Sequence, residues 1–199
     1  MSNTLTFVTN NAHKFAEAQK VVGQWTNLLQ TSIDLDEIQA IEVEEVIRHK
    51  LAQAYEGVGQ PVICEDTALY IDMLNGFPGA LIKWYLERLE VEGIARLHGG
   101  SPAHVKTVVG YHDGQKMHFF AGRTEGKIAS EPQGEGFGWS AVFVPEIPGK
   151  ENKRSFAEMT QEEKLLISMR GKAFRQLAQH LAKTTLNEAA PLEGGKNNR

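Results

Sequence analysis

The sequence has little cysteine, no excess of positive charge and no long apolar run. Its one cysteine, Cys64, cannot form a disulfide within the chain, and its apolar neighbours indicate a small buried side chain. A formal net charge of −4 argues against a general nucleic-acid-binding surface. No apolar run approaches the roughly 20 residues of a membrane span, and the first residues lack the features of a signal peptide. The composition therefore predicts a cytoplasmic protein that contacts neither membrane nor nucleic acid.

The first part of the chain alternates between apolar strand patterns and helical repeats. Strands are predicted at residues 5–9, 32–35 and 62–71, and helices from near Asn11 and over residues 42–55. This strand-helix-strand-helix-strand order is typical of an α/β fold.

The second part of the chain predicts a β-hairpin and a long final helix. A turn at 75–79 leads into helical stretches through Leu89 and near 94–97. Strands at 105–111 and 116–123 flank Asp113-Gly114, a strong hairpin signal. The final helix is predicted over 161–183. We expect a single domain at residues 1–184 and a disordered polar tail at 185–199.

Polar residues follow the first predicted strand, where the next helix begins. Thr9, Asn11 and Lys14 stand at this helix N-terminus, where backbone N–H groups and the helix dipole attract phosphate. Lysine is unfavourable for the helix itself at this end, and a bound anion would explain it. The alternative is an ordinary helix cap with a solvated lysine.

Two adjacent acids, Glu65 and Asp66, interrupt the apolar third strand. Burying them is costly unless they are paired or bind a metal. Successive strand residues point to opposite faces, so one acid can face a site while the other is anchored elsewhere. Carboxylates suit Mg²⁺, and Asp36-Glu37 can supply a second one. The alternative is an exposed strand end.

Aromatic residues and cations form two further candidate segments. Ile82-Lys83-Trp84 and Phe137-Gly138-Trp139-Ser140 each follow a glycine-rich turn, where an aromatic face can stack on a nucleobase. Plain core or turn residues are the alternative. In Ser168-Met169-Arg170, Met169 falls on the apolar stripe, and Arg170 can bind a carbonyl or phosphate.

The order of these segments resembles that of the inosine triphosphate pyrophosphatase (Ham1) family. The segment Thr9 to Lys14 is similar to the family's T-x-N-x-x-K motif, and Glu65-Asp66-Thr67-Ala68-Leu69 to its E/D-D-S/T-x-L motif. The other matching segments are Asp36-Glu37-Ile38-Gln39, Gly76-Phe77-Pro78-Gly79, Ile82-Lys83-Trp84-Tyr85-Leu86-Glu87, Phe120 to Gly126, Phe137-Gly138-Trp139, Phe156-Ala157-Glu158-Met159, Glu163-Lys164, and Ser168 with Arg170. The resemblance covers residues 5–183.

The resemblance implies a role for each matching residue. The triphosphate would be held by Thr9, Asn11 and Lys14, with Lys50 near the phosphates. Mg²⁺ would be bound by Glu37 and Asp66, and the catalytic candidates are Asp66, Glu65 and Lys14, with either acid able to activate water. The base and sugar pocket would be formed by Lys83, Phe137, Gly138, Trp139, Ser140, Lys164, Ser168, Met169 and Arg170.

The resemblance also implies the fold and the reaction. The fold would be elongated and two-lobed around a long curved mixed sheet, with the active site in the cleft between the lobes, and the protein would be a homodimer. The reaction would be Mg²⁺-dependent hydrolysis of a nucleoside triphosphate to the monophosphate and pyrophosphate, with inosine, deoxyinosine and xanthosine triphosphates as substrates. Such chemistry needs positioned cations and a carboxylate that orients water.

Two positions depart from the family pattern, and two rival hypotheses stay open. Ser140 replaces an aspartate in F-G-[YW]-D-P, and Met169 replaces a histidine in S-H-R. Both family side chains help to recognise a 6-oxo purine, so we expect base selectivity to be eroded or redirected. The first rival is a nucleotide-binding or sensing protein with little or no turnover. The second is a phosphatase or phosphotransferase acting on another phosphorylated metabolite.

Overall fold

The computed structural model describes residues 4–189, in which seven strands and five α-helices occur. The strands are β1 (Thr4–Val8), β2 (Asn27–Thr31), β3 (Val62–Ile71), β4 (Pro78–Gly79), β5 (Pro102–His112), β6 (Met117–Ile128) and β7 (Phe143–Pro145). The helices are α1 (Ala12–Val22), α2 (Val43–Val58), α3 (Ile82–His98), α4 (Gln161–Ile167) and α5 (Met169–Ala189). Short 3₁₀ turns cover Asp72–Leu74, Gly138–Val142 and Phe156–Glu158.

The strands form one mixed sheet in the order β2-β1-β3-β5-β6-β7, with β4 paired to β3. β1 is parallel to β2 and β3, whereas the remaining pairs are antiparallel. The predicted α/β class with a mixed sheet is therefore confirmed. β1 pairs with β3 only at Thr6–Val62 and Phe7–Ile63, whereas β5 follows β3 along its whole length. The edge of β3 is consequently open beside Glu65 and Asp66.

The side chains of β3 alternate between two buried clusters. Val62, Cys64 and Ala68 pack in the cluster that contains α2. Ile63, on the other face, packs with α1 and α5. Because the strand alternates, Glu65 points to the α1/α5 side and Asp66 to the α2 side, as the sequence predicted. Cys64 is 1% exposed, which confirms its burial.

The predicted second strand is wrong in position. It was expected at 32–35, but β2 lies at Asn27–Thr31. β2 pairs with β1 from Thr4–Asn27 to Val8–Thr31, so the ladder ends where β1 ends. Ile33 and Leu35, which gave the strand pattern, instead pack against the α2 cluster without a strand partner in the described sheet.

The predicted final helix is interrupted. Ser168 has extended backbone angles (φ −70°, ψ 153°) and separates α4 from α5. Its hydroxyl oxygen accepts a hydrogen bond from Gly171 N, which caps the start of α5. Helix α5 continues to Ala189, so residues 185–189 of the expected tail are helical. The rest of that tail, residues 190–199, lies outside the described residues.

Other predicted elements are confirmed. The two helical stretches before the hairpin are the halves of α3, which is kinked at Glu90, a residue with a positive φ of 56°. The hairpin is β5 and β6, and its turn contains Gly114. Within residues 4–189, no helix has the length and apolar character needed to cross a bilayer.

Helix α5 lies directly on β6. A Cβ atom at Gly122 would be 1.9 Å from the carbonyl oxygen of Met169, so only glycine allows this approach. Farther along the helix, Lys172 Nζ donates to the Arg123 carbonyl at 2.7 Å and Gln176 Nε2 to the Ala121 carbonyl at 2.7 Å. The first turns of α5 are thereby fixed to the sheet, together with Met169 and Arg170.

Candidate active site

A cavity of about 1140 Å³ opens where β1 and β3 separate. It is bordered by β1, α1, α2, β3 and α3, by the segment Phe137-Gly138-Trp139-Ser140 and by the α4–α5 junction. All the residues predicted for the site line it: Thr9, Asn11, Lys14, Glu37, Lys50, Glu65, Asp66, Lys83, Phe137, Gly138, Trp139, Ser140, Lys164, Ser168, Met169 and Arg170. The fold therefore brings segments that are far apart in the sequence together around one cavity.

At the start of α1, the cavity is lined by a lysine side chain, while the first backbone amides of the helix are already hydrogen-bonded. Asn11 is the N-cap, and its Oδ1 accepts from His13 N at 3.0 Å and Lys14 N at 3.1 Å. Asn11 N in turn donates to Thr9 Oγ1 at 3.1 Å. The cap is as predicted, but these amides already have a partner. Lys14 is not a freely solvated lysine, because its Nζ lies 2.7 Å from Glu65 Oε2 and its side chain is only 20% exposed.

Glu65 is a buried carboxylate held by three side chains. Its Oε1 accepts from the Thr67 hydroxyl at 2.6 Å and from Arg170 Nε at 3.1 Å, and its Oε2 faces Lys14. The side chain has no exposed surface. Burial alone would raise the pKa of Glu65, but the charges of Arg170 and Lys14 outweigh it and lower the pKa to about 2. Glu65 is therefore charged and fixed.

Asp66 lies on the opposite face of β3 and has fewer partners. Its Oδ1 accepts from Thr67 N at 2.9 Å, and its Oδ2 is 3.9 Å from Lys50 Nζ. Its side chain keeps 21% of its surface exposed. Burial raises the pKa of Asp66, and the charges of Lys14 and Lys50 offset this only in part. Of the two adjacent acids, Asp66 has oxygen surface free to meet a ligand or water.

Lys50 connects Asp66 to Glu37. Lys50 Nζ lies 2.6 Å from Glu37 Oε1, so both carboxylates flank one ammonium group. Burial would raise the pKa of Glu37, but the hydrogen bond and charge of Lys50, with the charges of Lys83 and Lys14, lower it. Glu37 is half exposed and ionised beside the cavity.

The donor set fits Mg²⁺ bound together with phosphate. Within residues 4–189, no three His, Cys, Asp or Glu side chains group closely enough to bind a metal on their own. Mg²⁺ commonly takes one or two carboxylates and completes its shell with water and substrate phosphates. Glu37 and Asp66 both place a carboxylate on the wall of the cavity, which fits such a site.

The segment Phe137-Gly138-Trp139-Ser140 gives the cavity an aromatic surface. Phe137 is 79% exposed, whereas Trp139 is half-buried against Phe143 and Phe156. Gly138, between them, has a positive φ of 65°, which glycine tolerates. Ser140 donates its hydroxyl proton to the Phe137 carbonyl at 2.9 Å, so this donor is already engaged within the segment.

The remaining predicted pocket residues differ in what they offer a ligand. Met169 is 5% exposed and belongs to a core cluster, consistent with the packing alternative. Arg170 bonds to Glu65 and, through Nη1, to Glu17 Oε2 at 3.1 Å. Ser168 is buried at the junction of α4 and α5. Lys164 is itself partly buried, which lowers the pKa of its ammonium group. Lys83 Nζ lies 5.2 Å from the centre of the Trp84 ring.

Comparison with known proteins places this chain in a family. The model of the Ham1 family matches residues 5–180. The chain is 35% identical over 189 residues to the inosine triphosphate pyrophosphatase of Kluyveromyces lactis, a match that covers 90% of this chain and 96% of that protein. It is 40% identical over 182 residues to the dITP/XTP pyrophosphatase of Thermococcus kodakarensis, covering 89% and 96% respectively.

The chain belongs to the Ham1 family. A solved structure agrees with this assignment, since a HAM1 protein from Coxiella burnetii matches with a TM-score of 0.75 at 26% identity. That match covers 91% of this chain and 99% of the other. The resemblance identified from the sequence motifs is therefore confirmed.

The Ham1 motifs did not identify every residue that shapes the site. Glu17 and Thr107 were missed, and Thr67 had no role of its own. Glu17 stands one helical turn after Lys14, a spacing that places both side chains on the same face of α1. That spacing was the only local signal for Glu17. Thr107 joins the site through strand pairing with Thr67, which no local pattern reveals.

Proposed function

We propose that this protein hydrolyses nucleoside triphosphates to nucleoside monophosphates and pyrophosphate, with inosine, deoxyinosine and xanthosine triphosphates as the family-type substrates. One observation carries the proposal: a single cavity is lined by cations, by carboxylates and by aromatic side chains, of which Phe137 is 79% exposed. The charged side chains suit a triphosphate and the aromatic ones suit a base. Relatives named for the same reaction in Kluyveromyces lactis and Thermococcus kodakarensis support it.

The two adjacent acids take different roles in this proposal. Glu65 has both oxygens engaged by cations and a hydroxyl, so it is a poor proton acceptor. Its role is to hold Lys14 beside the phosphates. Asp66 has an oxygen free of short hydrogen bonds and a raised pKa, which favour the orientation and deprotonation of the attacking water.

Charge neutralisation comes from the lysines together with Mg²⁺, which Glu37 and Asp66 would hold. Bound Mg²⁺ supplies positive charge that stabilises the phosphate oxygens as the bond breaks. Lys14 and Lys50, which are ion-paired in the described structure, can turn their ammonium groups to the phosphates. Thr9 and Asn11 fix the start of α1 and so the position of Lys14.

Base recognition would use Phe137 and Trp139 as stacking surface and Lys164 as a hydrogen-bonding group; Ser168 is 5% exposed and caps α5. Ser140 and Met169 offer little to a 6-oxo purine, because the first is bonded to Phe137 and the second is buried in the core. A lost hydrogen bond to a charged group lowers binding roughly tenfold to a hundredfold. We therefore expect weaker discrimination among bases than the family motif provides.

Pyrophosphate release with Mg²⁺ tests the proposal, using inosine, deoxyinosine and xanthosine triphosphates, the common ribo- and deoxynucleotides, and several modified bases. Release of pyrophosphate from any of these supports the reaction. Release of inorganic phosphate alone would indicate a phosphatase or phosphotransferase. Tight nucleotide binding without turnover would indicate a sensing protein. Two further parts of the proposal are a homodimer, which rests on the family resemblance, and a cytoplasmic location, which rests on the composition. Light scattering of the purified protein tests the first.

A further inference from the structure

Thr107 is a fully buried threonine in the middle of β5, one strand away from Glu65. Its cross-strand neighbours are Thr67 on β3 and Gly122 on β6. At Gly122 the start of α5 lies against the same face of the sheet. Thr107 Oγ1 lies 2.6 Å from Thr67 Oγ1, and this is its only side-chain hydrogen bond within the described chain.

The direction of this hydrogen bond follows from the number of protons. An ionised carboxylate only accepts, and a threonine hydroxyl has one proton to donate. Thr67 donates its proton to Glu65 Oε1 at 2.6 Å. The proton between the two hydroxyls therefore belongs to Thr107, which donates to Thr67 Oγ1. Two hydroxyls are aligned in series toward one carboxylate oxygen.

This series determines where Glu65 points. With Oε1 fixed by Thr67 and Arg170, the other oxygen is directed at Lys14 Nζ, 2.7 Å away. If Thr107 did not donate, the Thr67 oxygen would lose its buried donor, and the Thr67 hydroxyl would be free to rotate away from Glu65. The two ends of the series differ in exposure: Thr107 is fully buried, whereas Thr67 is partly buried and borders the cavity.

We propose that Thr107 is a positioning residue for Lys14, which it holds in place for the triphosphate through Thr67 and Glu65. This inference rests on the proposed function, in which Lys14 binds phosphate. Thr107 itself does not border the cavity, unlike Thr67 and Glu65. Its effect should therefore fall on binding of the polyphosphate rather than on the chemical step.

The test compares Thr107→Val, which keeps the shape and removes the hydroxyl, with Thr107→Ser, which keeps the hydroxyl. We expect Thr107→Val to raise KM for inosine triphosphate about tenfold with kcat within about twofold, and Thr107→Ser to stay near wild type. The Kd for inorganic triphosphate, measured by calorimetry, should rise in parallel. Val105→Ala is the matched control, because it removes buried volume on the same face of β5 without touching the hydroxyl series.

A double-mutant cycle with Thr67→Val shows whether Thr107 acts through Thr67. The double variant should bind triphosphate no more weakly than Thr67→Val alone. Three results would overturn the proposal: losses of triphosphate affinity that add in the double variant, a wild-type Kd for triphosphate in Thr107→Val, or a loss of affinity in Val105→Ala equal to that in Thr107→Val. Thr107→Ala replaces the valine variant if the latter does not fold.

The inorganic triphosphate measurement separates this proposal from the proposed function. A wild-type protein that binds triphosphate but releases no pyrophosphate would refute the proposed reaction, and the Kd series would still test Thr107. A wild-type protein that does not bind triphosphate would refute both.

Discussion

Arg170 Nε donates to Glu65 Oε1 at 3.1 Å, although the two residues are 105 positions apart in the chain. Arg170 also bonds to Glu17, so one guanidinium joins β3, α1 and α5 at the wall of the cavity. Replacing both partners of a buried ion pair costs little stability. Removing only one partner is strongly destabilising, because the other charge is then buried without compensation. The site and the stability of the fold therefore depend on the same contact.

Arg170→Met should destabilise the protein strongly, because Glu65 and Glu17 would lose their shared cation. We expect the free energy of unfolding to fall by about 3–5 kcal/mol in urea denaturation. Arg123→Met is the control, since the Arg123–Glu125 pair is about half exposed and should cost no more than about 1 kcal/mol. Equal losses in the two variants would contradict the importance of the buried network.

The stability should depend on pH through Glu65. Its folded-state pKa of about 2 is below the ordinary value of 4.5, so the stabilisation is complete above the ordinary value and is lost as pH falls toward 2. The loss attributable to Glu65 is about 3 kcal/mol. The measurement is urea denaturation between pH 5 and pH 2.5 for wild type and Glu65→Gln. If the free energy of unfolding falls with pH in the same way in both proteins, Glu65 is not the source of the pH dependence.

Asp66→Asn should remove turnover and leave the fold intact. The amide cannot accept the proton of the attacking water and is a poor ligand for Mg²⁺, so we expect kcat to fall by about 10²–10⁴-fold. Pyrophosphate release measures this, and thermal denaturation checks the fold. Asp72→Asn, at an exposed acid outside the cavity, should keep wild-type activity. A wild-type rate in Asp66→Asn would exclude Asp66 from the mechanism.

Glu37→Gln should weaken the response to Mg²⁺. With one of two carboxylates lost, we expect the Mg²⁺ concentration for half-maximal rate to rise about tenfold or more, which corresponds to about 1.4 kcal/mol. Titration of Mg²⁺ after chelator treatment provides the measurement. Activity that survives complete chelation in wild type would contradict a metal requirement.

Ser140→Asp should increase discrimination in favour of inosine triphosphate over adenosine triphosphate. An aspartate cannot donate to the Phe137 carbonyl as Ser140 does, so its carboxylate is free to accept from a base. We expect the ratio of kcat/KM values for the two nucleotides to rise about tenfold. Ser140→Ala should leave the ratio close to wild type. An unchanged ratio in Ser140→Asp would locate base selection elsewhere in the pocket.

Local patterns in the sequence were sufficient for those parts of the site that depend on strand alternation and helix capping. Glu65 and Asp66 fall on opposite faces of β3 because any strand alternates, and Asn11 caps α1 because its side chain suits that position. The hairpin around Asp113-Gly114 was predictable for the same reason. These features are decided within a few residues.

Contacts between distant segments were not predictable from the sequence. Arg170 was expected in the base pocket, and the structure shows its guanidinium bonded to two carboxylates from β3 and α1. At the break around Ser168, Arg175 donates to the Leu165 and Leu166 carbonyls at the end of α4. The helical periodicity that runs through both segments does not reveal these contacts.

The attachment of α5 to β6 also bears on the behaviour of the protein in concentrated solution. β7 pairs only with the end of β6, from Gly126 to Ile128, and exposed edge carbonyls are where a strand from another molecule can add. Lys172 and Gln176 already occupy the carbonyls of Arg123 and Ala121. Strand-to-strand aggregation at this edge therefore requires α5 to detach first, so conditions that loosen α5 should promote fibril or precipitate formation before the rest of the sheet unfolds.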